Sequence, residues 1–536
     1  MNSDLTESAA VALLTRQAAR FTSSSDRFGY RKDLHDLLAG AARRVRRPMR
    51  LAVVGRIKCG KSTLVNALIE RGLASTGTTE MTFTVAEYRY DEREFLRVHY
   101  RDATGRAPAE FGLDELYRLN DHDAGRLDEL RSIGHVEVHL PAELLAEVGL
   151  LDTPGLGSVH GDDSASTERL LATMDLTLAD VGKASGAAMA QADAVLYLFT
   201  DDLGGPDLEV VTGFAGGGDS SGPFNSLRAF GVLSRCDGSW GPRTAAVDYD
   251  PFGPARARIR AFQDDDDRVG ELFHTVVPIA GLLAEGAFRL DAGHLSDLRA
   301  LSSSGLPELV RWLRGERSFL AEETDCPLPL PARSSLAAVL GCWGVFRACI
   351  HIKDGRSDEE LRAALFRDSG VADVVALVRG HFGRRSTLIK LNALLAEIER
   401  TVARHRTEDG GRPDANLTEV TRAVAEVRER VLGFADLELL RGLQQRSVSL
   451  GPGETERARR LAGEFGTSCA QRLGRPAGAP PAGFTAVADE EAAYWRRRLN
   501  EDLNGNPTRH LLRTLSRIAD EVAYRVHTAA DLLSGY

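Results

Sequence analysis

"LAVVGRIKCGKSTLVNALI" runs from Leu51 to Ile69 and reads as a buried strand, a glycine-bounded loop and the opening of a helix. Within it, Gly55-Arg56-Ile57-Lys58-Cys59-Gly60-Lys61-Ser62 satisfies GxxxxGK[ST] in the strand–loop–helix setting that phosphate binding requires. The glycines let successive backbone N–H groups curl around a phosphate, and the helix N-terminus adds its positive dipole. Gly55, Lys58, Cys59, Gly60, Lys61, Ser62 and Thr63 are therefore the expected phosphate-side contacts. Lys61 is expected to reach the β- and γ-phosphates and Ser62 to ligate Mg²⁺. Lys58 is surplus to that task, in a chain whose other lysines are only Lys32, Lys183, Lys353 and Lys390.

The bulk numbers set the frame. A chain of 536 residues exceeds one ordinary domain. Its 43% hydrophobic and 27% charged content describes an ordinary globular protein. A formal net charge of -10 argues against bulk nucleic-acid binding, so nucleic acid is not an expected partner. Six cysteines without a CxxC pair suggest neither a metal site nor a disulfide framework, and a reducing cytoplasm is the natural setting. The N-terminal "MNSDLTESAAVALLTRQAAR" lacks the apolar core of a signal peptide. The most apolar window, Leu336–Ile352, is short for a bilayer and carries Arg347, and it reads as a packed helix.

Four further motifs follow the phosphate loop in order. "STGTTEMT" offers Thr79, with Thr78 and Thr82 as competitors, to close over Mg²⁺ and the γ-phosphate. "LLDTPGLG" ends an apolar strand on Asp152, expected to hold Mg²⁺ through water, and continues to Gly155, whose amide would sense the γ-phosphate. Ser234-Arg235-Cys236-Asp237 follows the strand "RAFGVL". A carboxylate there accepts from both N1–H and the 2-amino group of guanine, donors that adenine does not present on that edge. Ser234 stands where Asn or Thr is usual, which leaves an ATPase as a minor alternative. In "VVPIAGLLA" a backbone amide from Ala280 or Gly281 could meet the guanine O6. GTP is the expected ligand.

Strand-like runs alternate with helical patterns from Leu51 to about Leu283, predicting an α/β P-loop domain with a mainly parallel sheet and helices on both faces. After about Leu301 the apolar spacing turns to three and four, predicting an all-α extended bundle.

In order, these motifs and the helical second half resemble the bacterial dynamin-like proteins, in particular the isoniazid-inducible type of actinobacteria, whose loops look like "GRIKAGKSTL". The resemblance implies N-terminal neck helices over 1–48, a dynamin-type GTPase domain over 49–300, a helical neck over 301–385, a stalk and tip over 386–485, and C-terminal helices over 486–536 returning to the neck. It implies hydrolysis of GTP to GDP and phosphate, head-to-head self-dimerisation, remodelling of the inner membrane from its cytoplasmic face by peripheral lipid contact, and a paired membrane-anchored relative as a possible partner. The chain departs from many relatives in showing no paired transmembrane helices or hydrophobic paddle, so a GTP-regulated scaffold at the membrane or septum is the alternative. No catalytic glutamine follows "DTPG". Water positioning would then fall to Thr79 and Gly155, and charge compensation to Lys61 and Lys58. Lys58 occupies the loop position that carries a catalytic arginine in guanylate-binding proteins; the alternative is a lysine that faces solvent or caps the opposite head.

Overall fold

The computed structural model describes residues 5–21, 31–74, 85–101, 104–120, 132–153, 192–200, 203–215, 228–265, 272–431, 433–444, 450–476, 478–501 and 506–534. The run Met49–Gly55, rich in branched apolar side chains, forms a strand that is almost wholly buried, as a strand covered on both faces must be. Among the described residues it is one of nine strands: β1 (Met49–Gly55), β2 (Val85–Tyr90), β3 (Phe95–Tyr100), β4 (Ala109–Phe111), β5 (Ile133–Leu140), β6 (Val148–Asp152), β7 (Ala194–Phe199), β8 (Ala229–Leu233) and β9 (Val276–Pro278). Their order in the sheet is β4-β3-β5-β2-β6-β1-β7-β8-β9.

Strands β6, β1, β7, β8 and β9 pair in parallel. The sheet turns antiparallel where β2 meets β6, and again at β3. Because β6 and β7 flank β1 and run with it, the carboxyl ends of all three open on the same edge. That edge is where ligands bind in open α/β sheets.

The chain divides into two compact units. One comprises 49–217 and 229–379. Its core joins sheet residues such as Ala52, Val54, Leu151 and Tyr197 to Leu336, Trp343, Phe346 and Leu361, so the helices between 306 and 368 share one hydrophobic core with the sheet. Helix Leu330–Lys353 is the one helix among the described residues long and apolar enough to cross a bilayer, and 61% of its most apolar window is buried within the protein. Helix Asp358–Asp368 starts on a capping box in which Ser357 and Glu360 satisfy each other's backbone N–H groups.

The other unit comprises 1–48, 218–228 and 380–536. Its described helices include Glu7–Gln17, Lys32–Ala39, Arg384–Glu408, Ala415–Arg430, Thr485–Glu501 and Asn506–Ser534. A single apolar cluster runs from Leu14 and Leu34 through Leu391 and Val424 to Trp495 and Leu515. Arg31, 5% exposed, is held there by Asp409 at 2.6 Å and Asp414 at 2.8 Å. A second carboxylate shares the cost of burying the guanidinium.

Candidate functional site

The phosphate loop leaves β1 at Gly55. A Cβ at that position would lie 2.4 Å from the Leu198 carbonyl oxygen and 2.8 Å from Cys59 Sγ, so no side chain fits. Gly60, at φ 97°, caps helix Lys61–Ile69 in the left-handed conformation that glycine adopts without strain. Lys61 is 7% exposed, and its Nζ donates to the Arg56 carbonyl at 2.9 Å. That leaves the ammonium two further N–H groups to give.

The other two cations of the loop are placed differently. Arg56 donates from Nε to Asp207 Oδ1 at 2.9 Å and makes a second contact with Asp207 Oδ2. Asp207 is buried and also accepts from the Tyr197 hydroxyl at 2.6 Å. Burial, and then this hydrogen bond, push the Tyr197 hydroxyl above its ordinary value, so it remains a donor. Lys58 is exposed and has φ 60°. Among the described residues only Lys58, Glu70 and Arg235 are non-glycine residues with positive φ. Two of these three meet, because the Arg235 guanidinium donates to the Lys58 carbonyl. Left-handed non-glycine residues cost roughly 1–3 kcal/mol each and gather at ligand clamps.

Asp152 ends β6 in register with Val53 of β1. Its Oδ2 accepts from the Ser62 hydroxyl at 3.2 Å, and its Oδ1 is buried without a hydrogen-bond partner. Next to it, Thr153 donates to the Val53 carbonyl at 2.8 Å. A carboxylate with an unsatisfied oxygen beside a hydroxyl is an all-oxygen donor set, which suits a hard cation such as Mg²⁺. Burial raises the Asp152 carboxyl to about 6, opposed by Lys61 and by the Ser62 hydrogen bond.

The folded protein thus holds the Asp152 proton more tightly than the unfolded chain does. The penalty is absent below the unfolded value of 3.8 and complete above about 6, so this group lowers stability as pH rises between them. Asp152→Asn is accordingly expected to stabilise the nucleotide-free protein in EDTA at pH 7 by on the order of 3 kcal/mol. Thermal melts from pH 4 to 8 check this. The advantage over wild type should shrink as pH falls through 6, and a variant that melts below wild type at pH 7 contradicts the assignment.

On the base side, the Ser234 hydroxyl lies 2.7 Å from the Cys59 carbonyl and 3.3 Å from the Phe199 carbonyl. Serine therefore ties the base-side motif to the phosphate loop, a link its short side chain makes because the two backbones lie close. Cys59 is 3% exposed, and burial pushes its thiol up, so it packs as an apolar residue. Asp237 sits in the short helix Cys236–Ser239, and burial raises its carboxyl despite the Arg235 charge. The Ala280 amide, expected as a candidate for the guanine O6, donates instead to the Ser369 carbonyl at 2.8 Å. Gly281 opens helix Gly281–Arg289 against Thr63; a Cβ there would stand 3.5 Å from Thr63 Cγ2. Thr78, Thr79, Thr82 and Gly155 lie outside the described residues.

Sequence reasoning missed Asn66 and Glu285. Asn66, 1% exposed, accepts from the amides of Leu73 at 2.9 Å and Ala74 at 2.6 Å. It donates to the Ala74 carbonyl at 2.9 Å and to Glu285 Oε1 at 3.0 Å. The phosphate-loop helix is thereby pinned both to the chain leading toward the threonine loop and to the helix that follows Gly281. One signal was available: Asn66 is a polar residue inside the apolar run "LVNALI".

Elsewhere among the described residues, His99, His135 and Glu137 bring metal-type ligand atoms within 4.8 Å of one another. Glu137 is already neutralised by Arg89 at 3.0 Å and Arg97 at 3.4 Å, so no cation is assigned there.

A glycine-rich loop opening a helix, beside a strand-end carboxylate at the sheet's switch point, defines a P-loop nucleotide hydrolase. The dynamin family model matches residues 51–201. Isoniazid-induced protein IniC of Mycobacterium tuberculosis is 29% identical over 479 residues, 89% of this chain and 90% of that protein. Dynamin-like protein 2 of Campylobacter jejuni is 28% identical over 120 residues, 22% of this chain and 19% of its own. A solved bacterial dynamin pair, described as a mechanism for long-range sensing and tethering of membranes, aligns over 98% of this chain and 75% of its own at 11% identity and a TM-score of 0.33. Residues 51–201 therefore carry a dynamin-family domain and hydrolysis of GTP is the reaction it supports, while over most of its length the chain is similar to the isoniazid-induced type of bacterial dynamin-like protein.

Proposed function

We propose that this GTPase dimerises head to head when GTP is bound and couples hydrolysis to remodelling or repair of the bacterial inner membrane, working from the cytoplasmic face and with a paired relative. Lys61 neutralises the transferred phosphoryl group. Ser62 and Asp152 hold Mg²⁺, which supplies charge stabilisation to the β- and γ-phosphate oxygens when bound. Thr79 and Gly155 position the attacking water. Asp237 selects guanine, with Gly281 near its O6. In this reading the neck and stalk segments are those set out from the sequence, of which 1–48, 386–485 and 486–536 lie in the helical unit and 301–379 in the unit that holds the sheet.

One observation carries the dimerisation reading. An exposed lysine in a left-handed conformation crowns the phosphate loop, and its carbonyl is held by the base-side Arg235. A cation there can neutralise charge developing on the phosphates once a second head excludes water. A lysine lacks the guanidinium fork, so its effect falls at or below the lower end of the ~10³–10⁵ range that arginine fingers reach.

A GTP-regulated scaffold that does not itself remodel lipid is the second reading. It is favoured by the burial of helix 330–353 in the core of the head. GTP turnover against protein concentration, with and without anionic vesicles, tests the dimerisation. Turnover per head that rises with concentration in wild type, and not in Lys58→Ala, is the expected result. Concentration-independent turnover in wild type removes the dimerisation reading. The same vesicles, imaged with GTP, separate remodelling from scaffolding by whether they deform.

A further inference from the structure

Helix Leu330–Lys353 does not run straight. Gly341, in its interior, has φ 68° and ψ 165°, far from helical values. No residue in that conformation continues the hydrogen-bond ladder, so the helix breaks there. Two close approaches hold the halves on either side. A Cβ on Gly286 would stand 2.2 Å from the Val339 carbonyl oxygen, and a Cβ on Gly344 would stand 2.9 Å from Leu283 Cδ1. Both contacts are to helix Gly281–Arg289, which opens at the base-side loop. Beyond the break, Trp343 packs 5.7 Å from the Phe252 ring and Phe346 stacks 4.8 Å from Trp240. The kink is therefore clamped from several directions.

What the kink faces is Asp237. A Cβ on Gly341 would lie 3.6 Å from Asp237 Oδ2 and 3.8 Å from Leu282 Cδ2. Cys342 is half-buried, and burial, then Glu316, then Asp237, push its thiol up to about 12. An uncharged thiol and a side-chain-free backbone thus stand beside the carboxylate that reads the base. A left-handed residue inside an otherwise apolar, buried helix is a local cost. At this place it leaves the space next to the carboxylate clear.

We infer that the Gly341–Cys342 kink is a wall of the guanine pocket, so that base recognition depends on a helix beyond the stretch matched by the family model. The inference rests on Asp237 reading guanine, and it adds that Gly341 is a specificity-determining position. A Cβ at Gly341 would come into van der Waals contact with the Asp237 carboxylate and take up space beside it, and any side chain there strains a backbone held at φ 68°.

The test uses the full chain and fluorescent GDP. Gly341→Ala is expected to weaken GDP binding at least tenfold, and the Gly341→Ala, Asp237→Asn double variant to bind no worse than Asp237→Asn alone, because neighbours acting on one ligand group are not additive. Since Gly341→Ala also perturbs the backbone, wild-type hydrogen exchange provides the second measurement. Amides of 338–345 should gain protection with GDP and not with inorganic pyrophosphate. Unchanged GDP affinity in a folded Gly341→Ala protein overturns the wall, as does a kink whose exchange ignores GDP. If Asp237→Asn itself binds GDP as wild type does, the base reading fails first and the wall falls with it.

Discussion

Lys61→Ala is expected to lower GTP turnover by at least about 10²–10³-fold, the cost of removing one preorganised donor from a charge-developing site. The side chain is 7% exposed, and its ammonium now rests on a single neutral carbonyl, that of Arg56 at 2.9 Å. A phosphate oxygen offers that ammonium a charged partner inside a largely water-excluded loop, where charge-assisted hydrogen bonds are roughly twice as strong as neutral ones. Neither neighbouring cation replaces it. Arg56 is locked to Asp207, and Lys58 is exposed on a backbone in the left-handed region rather than at the helix N-terminus where Lys61 stands. Fluorescent GTP binding and phosphate release, measured together, separate lost affinity from lost rate. Turnover within a few-fold of wild type would show that this loop is not where the phosphates sit. Lys61→Arg is expected to recover little, because the guanidinium is larger than an ammonium and a point charge is what the loop admits.

The second large effect is a change of base. Asp237→Asn is expected to weaken GTP binding by about 10²–10⁴-fold, since two hydrogen bonds to a charged acceptor, at roughly 1.5–3 kcal/mol each, are lost. Xanthine carries a carbonyl where guanine carries its amino group, so the asparagine amide can donate to it. The same variant should therefore gain affinity for xanthosine triphosphate. Competition of GTP, ATP and xanthosine triphosphate against a fluorescent nucleotide reads all three at once. Equal ATP and GTP affinities in wild type, both lost in the variant, would instead support the ATPase alternative. Asp237 carries this burden because burial has already raised its carboxyl, and a ligand donating two N–H groups repays that cost.

Much of the head could be read from the sequence because its signals are local. Eight of the nine strands among the described residues correspond to strand-like runs in the sequence, and of these "LAVVG", "AVLYLF" and "AFGVL" bury both faces and so need no alternation. The exception is β4, the three residues Ala109–Phe111, half-buried to exposed at the sheet edge and without an apolar run to mark it. The antiparallel pairing of β2 with β6 was also hidden, since strand direction leaves no trace in composition. In the second unit the stretch from Leu417 to Leu443 reads as one helical pattern, yet helices Ala415–Arg430 and Gly433–Gln444 are separate. Their apolar spacing continues across the break, so periodicity alone does not detect it.

Ser234 shows the same division. As a departure from Asn or Thr it weakens the reading of the base motif. In the fold, its hydroxyl makes the link to the Cys59 carbonyl at 2.7 Å. Whether a short side chain suffices depends on how closely two loops approach, and that distance is set by the packing of β1, β7 and β8.

By itself the sequence determined the phosphate loop, the strand-end carboxylate and the base-side carboxylate, together with the α/β class that presents them. Consecutive backbone amides and the helix they open act within a few residues, so their chemistry is written in spacing. Only the tertiary structure decided that Lys58 stands left-handed under the Arg235 guanidinium, that Asn66 joins Ala74 to Glu285, and that a broken helix brings Gly341 to Asp237. Each of these joins residues distant in the chain, and such contacts arise from the packing of whole elements, which no local spacing records.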